Sequence, residues 1–129
     1  MSCAICISYA RNETIIRSEL GWARALNINA VRVRTSPGAF VSSGTAVFAT
    51  RMAKFLDICG GLNISVMPIL FDTGDIIHNQ TKKSLEAYLA AAVVQTVEHP
   101  AIIGFDLCNE VGYCMLLMRV KVANRFARV

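Results

Sequence analysis

Charged side chains are scarce in this 129-residue chain, making up 17% of it against about 25% in an ordinary soluble domain. With 54% hydrophobic residues and a mean hydropathy of +0.47, that scarcity excludes a disordered or fibrous chain. Long apolar runs are missing too. The longest, such as Ile64 to Phe71 and Leu89 to Val94, fall short of the roughly 18 to 20 residues of a membrane span, so a spanning protein is not expected. Met1 to Tyr9 has neither a basic flank nor a small-residue cleavage site, so no secretory signal is read there and a cytoplasmic location is expected. The length suits one domain or part of one.

The five cysteines, Cys3, Cys6, Cys59, Cys108 and Cys114, form no disulfide framework and fit a reducing compartment. Cys3 and Cys6 make a CxxC with no second ligand pair, and His78 and His99 share no metal-ligand spacing, so neither a metal nor a cofactor is expected. A basic domain is also absent. Residues 1–114 hold nine Lys+Arg and nine Asp+Glu, and the net charge of +4 comes from Arg119, Lys121, Arg125 and Arg128 alone. A neutral body with a basic tail that carries one aromatic, Phe126, does not suit nucleic-acid binding.

What is present is an alternation of helical and strand patterns. A helix is predicted after a cap at Asn12, with Ile16, Leu20, Ala23 and Leu26 repeating along it to about Asn27. Trp22 on this helix is assigned to the core between helices rather than to a sugar platform. A strand follows at Ala30 to Val33 and stops at Ser36-Pro37-Gly38. A second helix runs from about Thr45 to Cys59, with Val47, Met52, Phe55, Leu56 and Cys59 on one side and Gly60-Gly61 as its stop. Then come an almost continuously apolar strand, Ile64 to Phe71, interrupted by Pro68, a third helix over about Lys82 to Val97, and a strand at Ile102 to Leu107.

The spacing is regular: Arg32 to Pro68 is 36 residues and Pro68 to Asp106 is 38, each the length of one βα unit in a parallel sheet. Cys3 to Tyr9 would supply a further strand, giving about four parallel strands with covering helices. A closed (β/α)8 barrel needs at least about 200 residues, so the fold class is α/β, either half of such a barrel or a small doubly wound sheet. In either fold the chemistry collects where strands end. Those ends carry Arg32 and Arg34, then Asp72, then Asp106, Asn109 and Glu110. Asp106 is read as structural, bonding nearby backbone or Arg32.

The segments Leu20-Gly-Trp-Ala23, Asn29-Ala-Val-Arg-Val33, Phe55-Leu-Asp-Ile-Cys59, Val66-Met-Pro-Ile-Leu-Phe-Asp72 and Ile103-Gly-Phe-Asp-Leu-Cys-Asn-Glu110 together resemble the first half of a retaining glycoside hydrolase of the cellulase-like and β-mannanase-like (β/α)8 clan. In that clan strand four ends in Asn-Glu. The resemblance implies a glycosidase acting on β-linked carbohydrates, with Glu110 as acid/base, Asn109 on the sugar 2-hydroxyl, and Arg32 and Asp72 in the substrate site. Retention requires two carboxyl groups about 5 to 5.5 Å apart, and no acidic residue follows Glu110. Val111 stands where the clan has proline, and Phe105 where it has tryptophan.

The expected organisation is therefore residues 1–114 as half of a catalytic domain and 115–129 as a basic amphipathic tail, with Met115, Met118, Val122, Phe126 and Val129 along one stripe. The isolated chain is expected to be inactive. Its expected partners are a carbohydrate and a complementary half-barrel or second copy. The alternative is a non-catalytic carbohydrate-binding or self-associating half-barrel.

Overall fold

A computed structural model describes residues 12–72 and 82–109. Helix α1 (Glu13–Ala25) opens at Asn12, whose side chain accepts from the Thr14 amide at 2.9 Å. Arg17 pairs with Glu13 one turn earlier, and Ile16, Leu20 and Ala23 are buried. The helix closes through Asn27, left-handed at φ 60°, which lets the Ile28 amide donate to Ala23 at 2.9 Å. Strand β1 (Ala30–Arg34) follows.

Ser36-Pro37-Gly38, read above as a stop, instead starts a helix. Ser36 caps α2 (Pro37–Ser43), and Pro37 occupies its first turn, where a missing N–H costs nothing. After Gly44, α3 (Thr45–Gly61) runs through Gly60-Gly61 and not up to them. Its closure repeats that of α1: Asn63 is left-handed at φ 52°, and the Ile64 amide donates to Cys59 at 2.9 Å. Leu26-Asn27-Ile28 and Leu62-Asn63-Ile64 are thus the same device, set 36 residues apart. Asparagine tolerates the left-handed conformation because its short polar side chain bonds locally. On α3 the inward residue is Phe48; Val47, expected inside, is 43% exposed.

Strand β2 (Ser65–Phe71) leads, beyond residues 73–81, to α4 (Lys82–Leu89), which continues as a π-helical turn at Ala90–Val94, and then to β3 (Asp106–Cys108). The strands form one parallel sheet in the order β1-β2-β3. The expected strand at Ile102 to Leu107 is shorter and later than read. Ile102 makes one bridge to Val66, and regular pairing resumes only at Ile69 with Asp106. Three steps along β2 therefore face four along its neighbour, a bulge. Pro68, which has no N–H for a ladder, lies in that interval.

Along β1 the burial alternates: Val31 and Val33 are buried, whereas Arg32 is half-buried and Arg34 exposed. Val31 and Val33 align with Val66 and Pro68 of β2 and join the helices in the core. Helix α3 touches α1 on one side and the π-helical turn on the other. Helix α3 also packs on β2 and α2, so the helices and the parallel sheet share one core in an α/β arrangement.

Tyr88, fully buried, anchors this core under the strand ends. Its ring meets Phe40, Phe48 and Phe71 edge-on at centroid distances of 5.7, 5.9 and 5.9 Å. Its hydroxyl lies 2.6 Å from the Leu70 carbonyl and 2.6 Å from Thr35 Oγ1, which itself reaches the Ile69 carbonyl at 2.9 Å. The Tyr88 hydroxyl donates to the Leu70 carbonyl and the Thr35 hydroxyl to the Ile69 carbonyl, binding α4 to the ends of β1 and β2.

Two expectations are corrected. Trp22 is 69% exposed and, with Ile15 and Leu26, forms an apolar face on α1 beside the buried stripe; no described element packs over it. The cysteines are not all free: Cys108 is disulfide-bonded. An odd count without framework spacing does not report a single bridge.

Cys59 is a free, buried thiol. Burial pushes its pKa from 9.0 up to about 12, because a thiolate would be desolvated. The unfolded chain ionises first, so stability is fully present below pH 9 and is lost as pH rises from there toward 12. Relative to Cys59→Ala, the wild type is expected to lose about 1.4 kcal/mol per pH unit across that interval in urea titrations. A constant difference between the two proteins would contradict the burial argument.

Candidate functional site

Polar residues stand along the strands and just beyond them: Arg32 in the middle of β1 and Arg34 at its end, Asp72 just after β2, Asp106 at the start of β3 and Asn109 just after it. Alternation puts Arg32 and Arg34 on the face of β1 opposite Val31 and Val33. Register places Arg34 beside Ile69 and Ile69 beside Asp106, so β3 delivers its carboxylate to the same face. Arg32 reaches across β2 and its Nη2 donates to Asp106 Oδ2. The other carboxylate oxygen of Asp106 accepts the Cys108 amide at 3.2 Å, which fixes the first turn of β3. This is the pairing expected of Asp106.

One residue beyond β2, Asp72 receives two side chains. Arg34 Nε lies 3.3 Å from its Oδ2 and Asn109 Nδ2 lies 3.3 Å from its Oδ1. The Asn109 main chain is pinned as well, its amide donating to the Phe71 carbonyl at 2.9 Å. Asp72 is the deeper partner, its side chain 18% exposed against 45% for Arg34.

Of the four anticipated site residues, Asp72 and Asn109 meet beside Arg34, while Arg32 pairs separately with Asp106. Glu110, the anticipated acid/base, lies outside the described residues, as do His78 and the tail 115–129. Sequence reasoning placed Arg34 at a strand end but gave it no role. Its two-residue spacing from Arg32, which puts both on one strand face, is the signal that could have paired it with Asp72.

Among the described residues, the two guanidiniums, two carboxylates and one amide offer fixed donors and acceptors to a polar ligand. Among the described residues no group of three His, Cys, Asp or Glu could hold a metal ion, and no helix is long and apolar enough to cross a membrane.

A separate cleft of about 330 Å³ lies among the helices, lined by Ala49, Ala53, Leu56, Ala91, Gln95 and His99 among others. Its one imidazole is committed locally: His99 Nδ1 accepts the Ala101 amide at 3.1 Å, and Nε2 lies 3.3 Å from Asp57 Oδ1. The convergent charged and amide groups are at the strand ends, and the candidate site is placed there.

Comparison with known proteins gives no further guide: no family model, no curated protein and no solved structure matches the chain.

Proposed function

We propose that this chain is half of a glycosidase-type (β/α)8 barrel whose strand-end cluster binds a neutral, β-linked carbohydrate. The observation that carries the proposal is the Arg34–Asp72–Asn109 network at the C-terminal ends of the three parallel strands, with the Arg32–Asp106 pair on the same sheet. The strand ends are where such folds hold their ligands. The resemblance around Asn109-Glu110 supplies the substrate class. In this reading Asn109 bonds the sugar 2-hydroxyl, a contact that strengthens as the ring gains oxocarbenium character, and Glu110 protonates the leaving oxygen.

Exposed apolar residues support the half-barrel. Ile15 and Trp22 on α1 with Leu26 at its end, and Leu107 on β3, are exposed, and a complementary half, from a second copy or another chain, would cover them.

Retaining hydrolysis needs a second, free carboxylate. Asp72 and Asp106 are held by arginines, and no acidic residue follows Glu110. The chain alone is therefore expected to bind without turnover. Calorimetry with cellohexaose and mannohexaose tests this: saturable heat without release of reducing ends is expected, and no heat with either would remove the reading. Hydrolysis of an aryl β-glycoside is expected only with a complementary half present, and is lost in Glu110→Gln.

A further inference from the structure

We infer that the cleft between α3 and the π-helical turn is a second binding site, which takes an uncharged, mainly apolar ring compound carrying one N–H or O–H donor for the main-chain carbonyl of Ala91. It involves none of the strand-end residues and does not depend on the carbohydrate reading.

The π-helical turn supplies the acceptor. Over Ala90–Val94 the hydrogen-bond ladder widens by one residue, so the Gln95 amide donates to Ala90 at 3.2 Å and not to Ala91, its partner in an α-helix. The next amide, that of Thr96, donates to Val93 at 3.0 Å. The Ala91 carbonyl is passed over by both. The Ala92 carbonyl is skipped by the main chain as well, but Thr96 Oγ1 lies 2.6 Å from it and donates in place of the amide. Ala91 is fully buried, and a buried carbonyl without a donor costs about as much as a lost hydrogen bond. Helix carbonyls point toward the C-terminal end. Here that end is where Gln95, Thr96 and His99 line the cleft beside Ala91.

The walls define the rest of the ligand. Ala49, Ala53 and Leu56 line the α3 side, and no Lys, Arg, Asp or Glu is among the lining residues. Both nitrogens of the one imidazole are engaged, Nδ1 of His99 by the Ala101 amide and Nε2 by Asp57. An ion entering the cleft would lose its water without gaining a partner, whereas an uncharged ring would not. The volume of about 330 Å³ is roughly twice the 150 Å³ that holds one benzene ring, which matches two fused rings. Mostly apolar walls with one placed polar group are the usual make-up of a small-molecule site.

Indole and benzofuran are the probes, because they share the size and shape of two fused rings and differ in one donor: the N–H of indole is an oxygen in benzofuran. The full chain, labelled with ¹³C and ¹⁵N, is titrated with each, and the carbonyl ¹³C signal of Ala91 is followed. Indole is expected to bind saturably, to move that signal, and to bind about tenfold more tightly than benzofuran, the worth of one hydrogen bond to a carbonyl that otherwise lacks a donor. Ala53→Leu, which fills the cleft from an exposed position on α3, is expected to weaken indole binding at least tenfold, while Ala53→Ser, which leaves the space open, stays within about twofold of wild type. Equal affinity for the two probes, or an Ala91 carbonyl signal that indole does not move, overturns the role of that carbonyl. Indole binding that Ala53→Leu leaves unchanged, or no binding of indole at all, overturns the site.

Discussion

Tyr88→Ala is expected to lower the unfolding free energy by about 3 to 5 kcal/mol, the range for removing a large aromatic from a packed core. The ring is fully buried among Phe40, Phe48 and Phe71, and its loss leaves a cavity where α2, α3, α4 and β2 converge. Tyr88→Phe keeps the ring and removes only the hydroxyl. Its expected cost is about 1 to 3 kcal/mol, because Leu70 and Thr35 lose a buried partner. A domain has roughly 5 to 15 kcal/mol in all, so the alanine variant should be largely unfolded at modest urea concentrations. Urea titration followed by circular dichroism checks both values. A Tyr88→Phe cost near zero would show that water reaches the Leu70 carbonyl. The strand ends would loosen with this anchor, so the phenylalanine variant is also expected to weaken carbohydrate binding.

The second large effect concerns Arg32 and Asp106. Their side chains are 31% and 23% exposed, too enclosed for water to replace a lost partner fully. Asp106→Ala is expected to cost about 2 to 3 kcal/mol, less than for a fully buried pair and more than for a surface one. It strands the guanidinium of Arg32 over an apolar sheet and removes the acceptor of the Cys108 amide. Replacing both residues, as Arg32→Met with Asp106→Leu, is expected to cost less than Asp106→Ala alone, since no charge is left unpaired. A double-mutant cycle in urea measures the coupling. Strictly additive costs would mean that the two side chains are independent.

Much of this architecture was legible because local signals and burial agree. The cap at Asn12, the Ile16-Leu20-Ala23 stripe and the 36-residue spacing each follow from one-residue chemistry repeated at a fixed period. The errors fall where a residue type permits two structures. Ser36-Pro37 reads equally as a turn or as a cap followed by the first helical residue, and only the space beneath Phe40 selects the helix. Gly60-Gly61 could end a helix, but Asn63 performs that role, and the repeated Leu-Asn-Ile would have shown it. Pro68 argues against a central strand until the bulge opposite it is known, and a bulge has no signature of its own. Trp22, assigned to the core between helices from its place on α1, lies on the flank of the stripe and is exposed, because its burial depends on neighbours that periodicity does not describe.

The site divides in the same way. That Asp72 and Asn109 stand at strand ends follows from the order of elements. Which acid each arginine holds does not, because pairing is set by register across β2. Ile69 lies between Arg34 and Asp106, yet Arg34 takes Asp72 and Arg32 takes Asp106. No linear spacing encodes that exchange.

The central claim, that the strand-end cluster is a carbohydrate site, is tested most directly by mapping ¹⁵N chemical-shift changes on adding cellohexaose. The account predicts saturable shifts confined to Arg32, Arg34, Asp72, Asp106 and Asn109 and their neighbours on that edge of the sheet. Shifts confined to the cleft around Ala53, Ala91 and His99, or none with cellohexaose or mannohexaose, would contradict it.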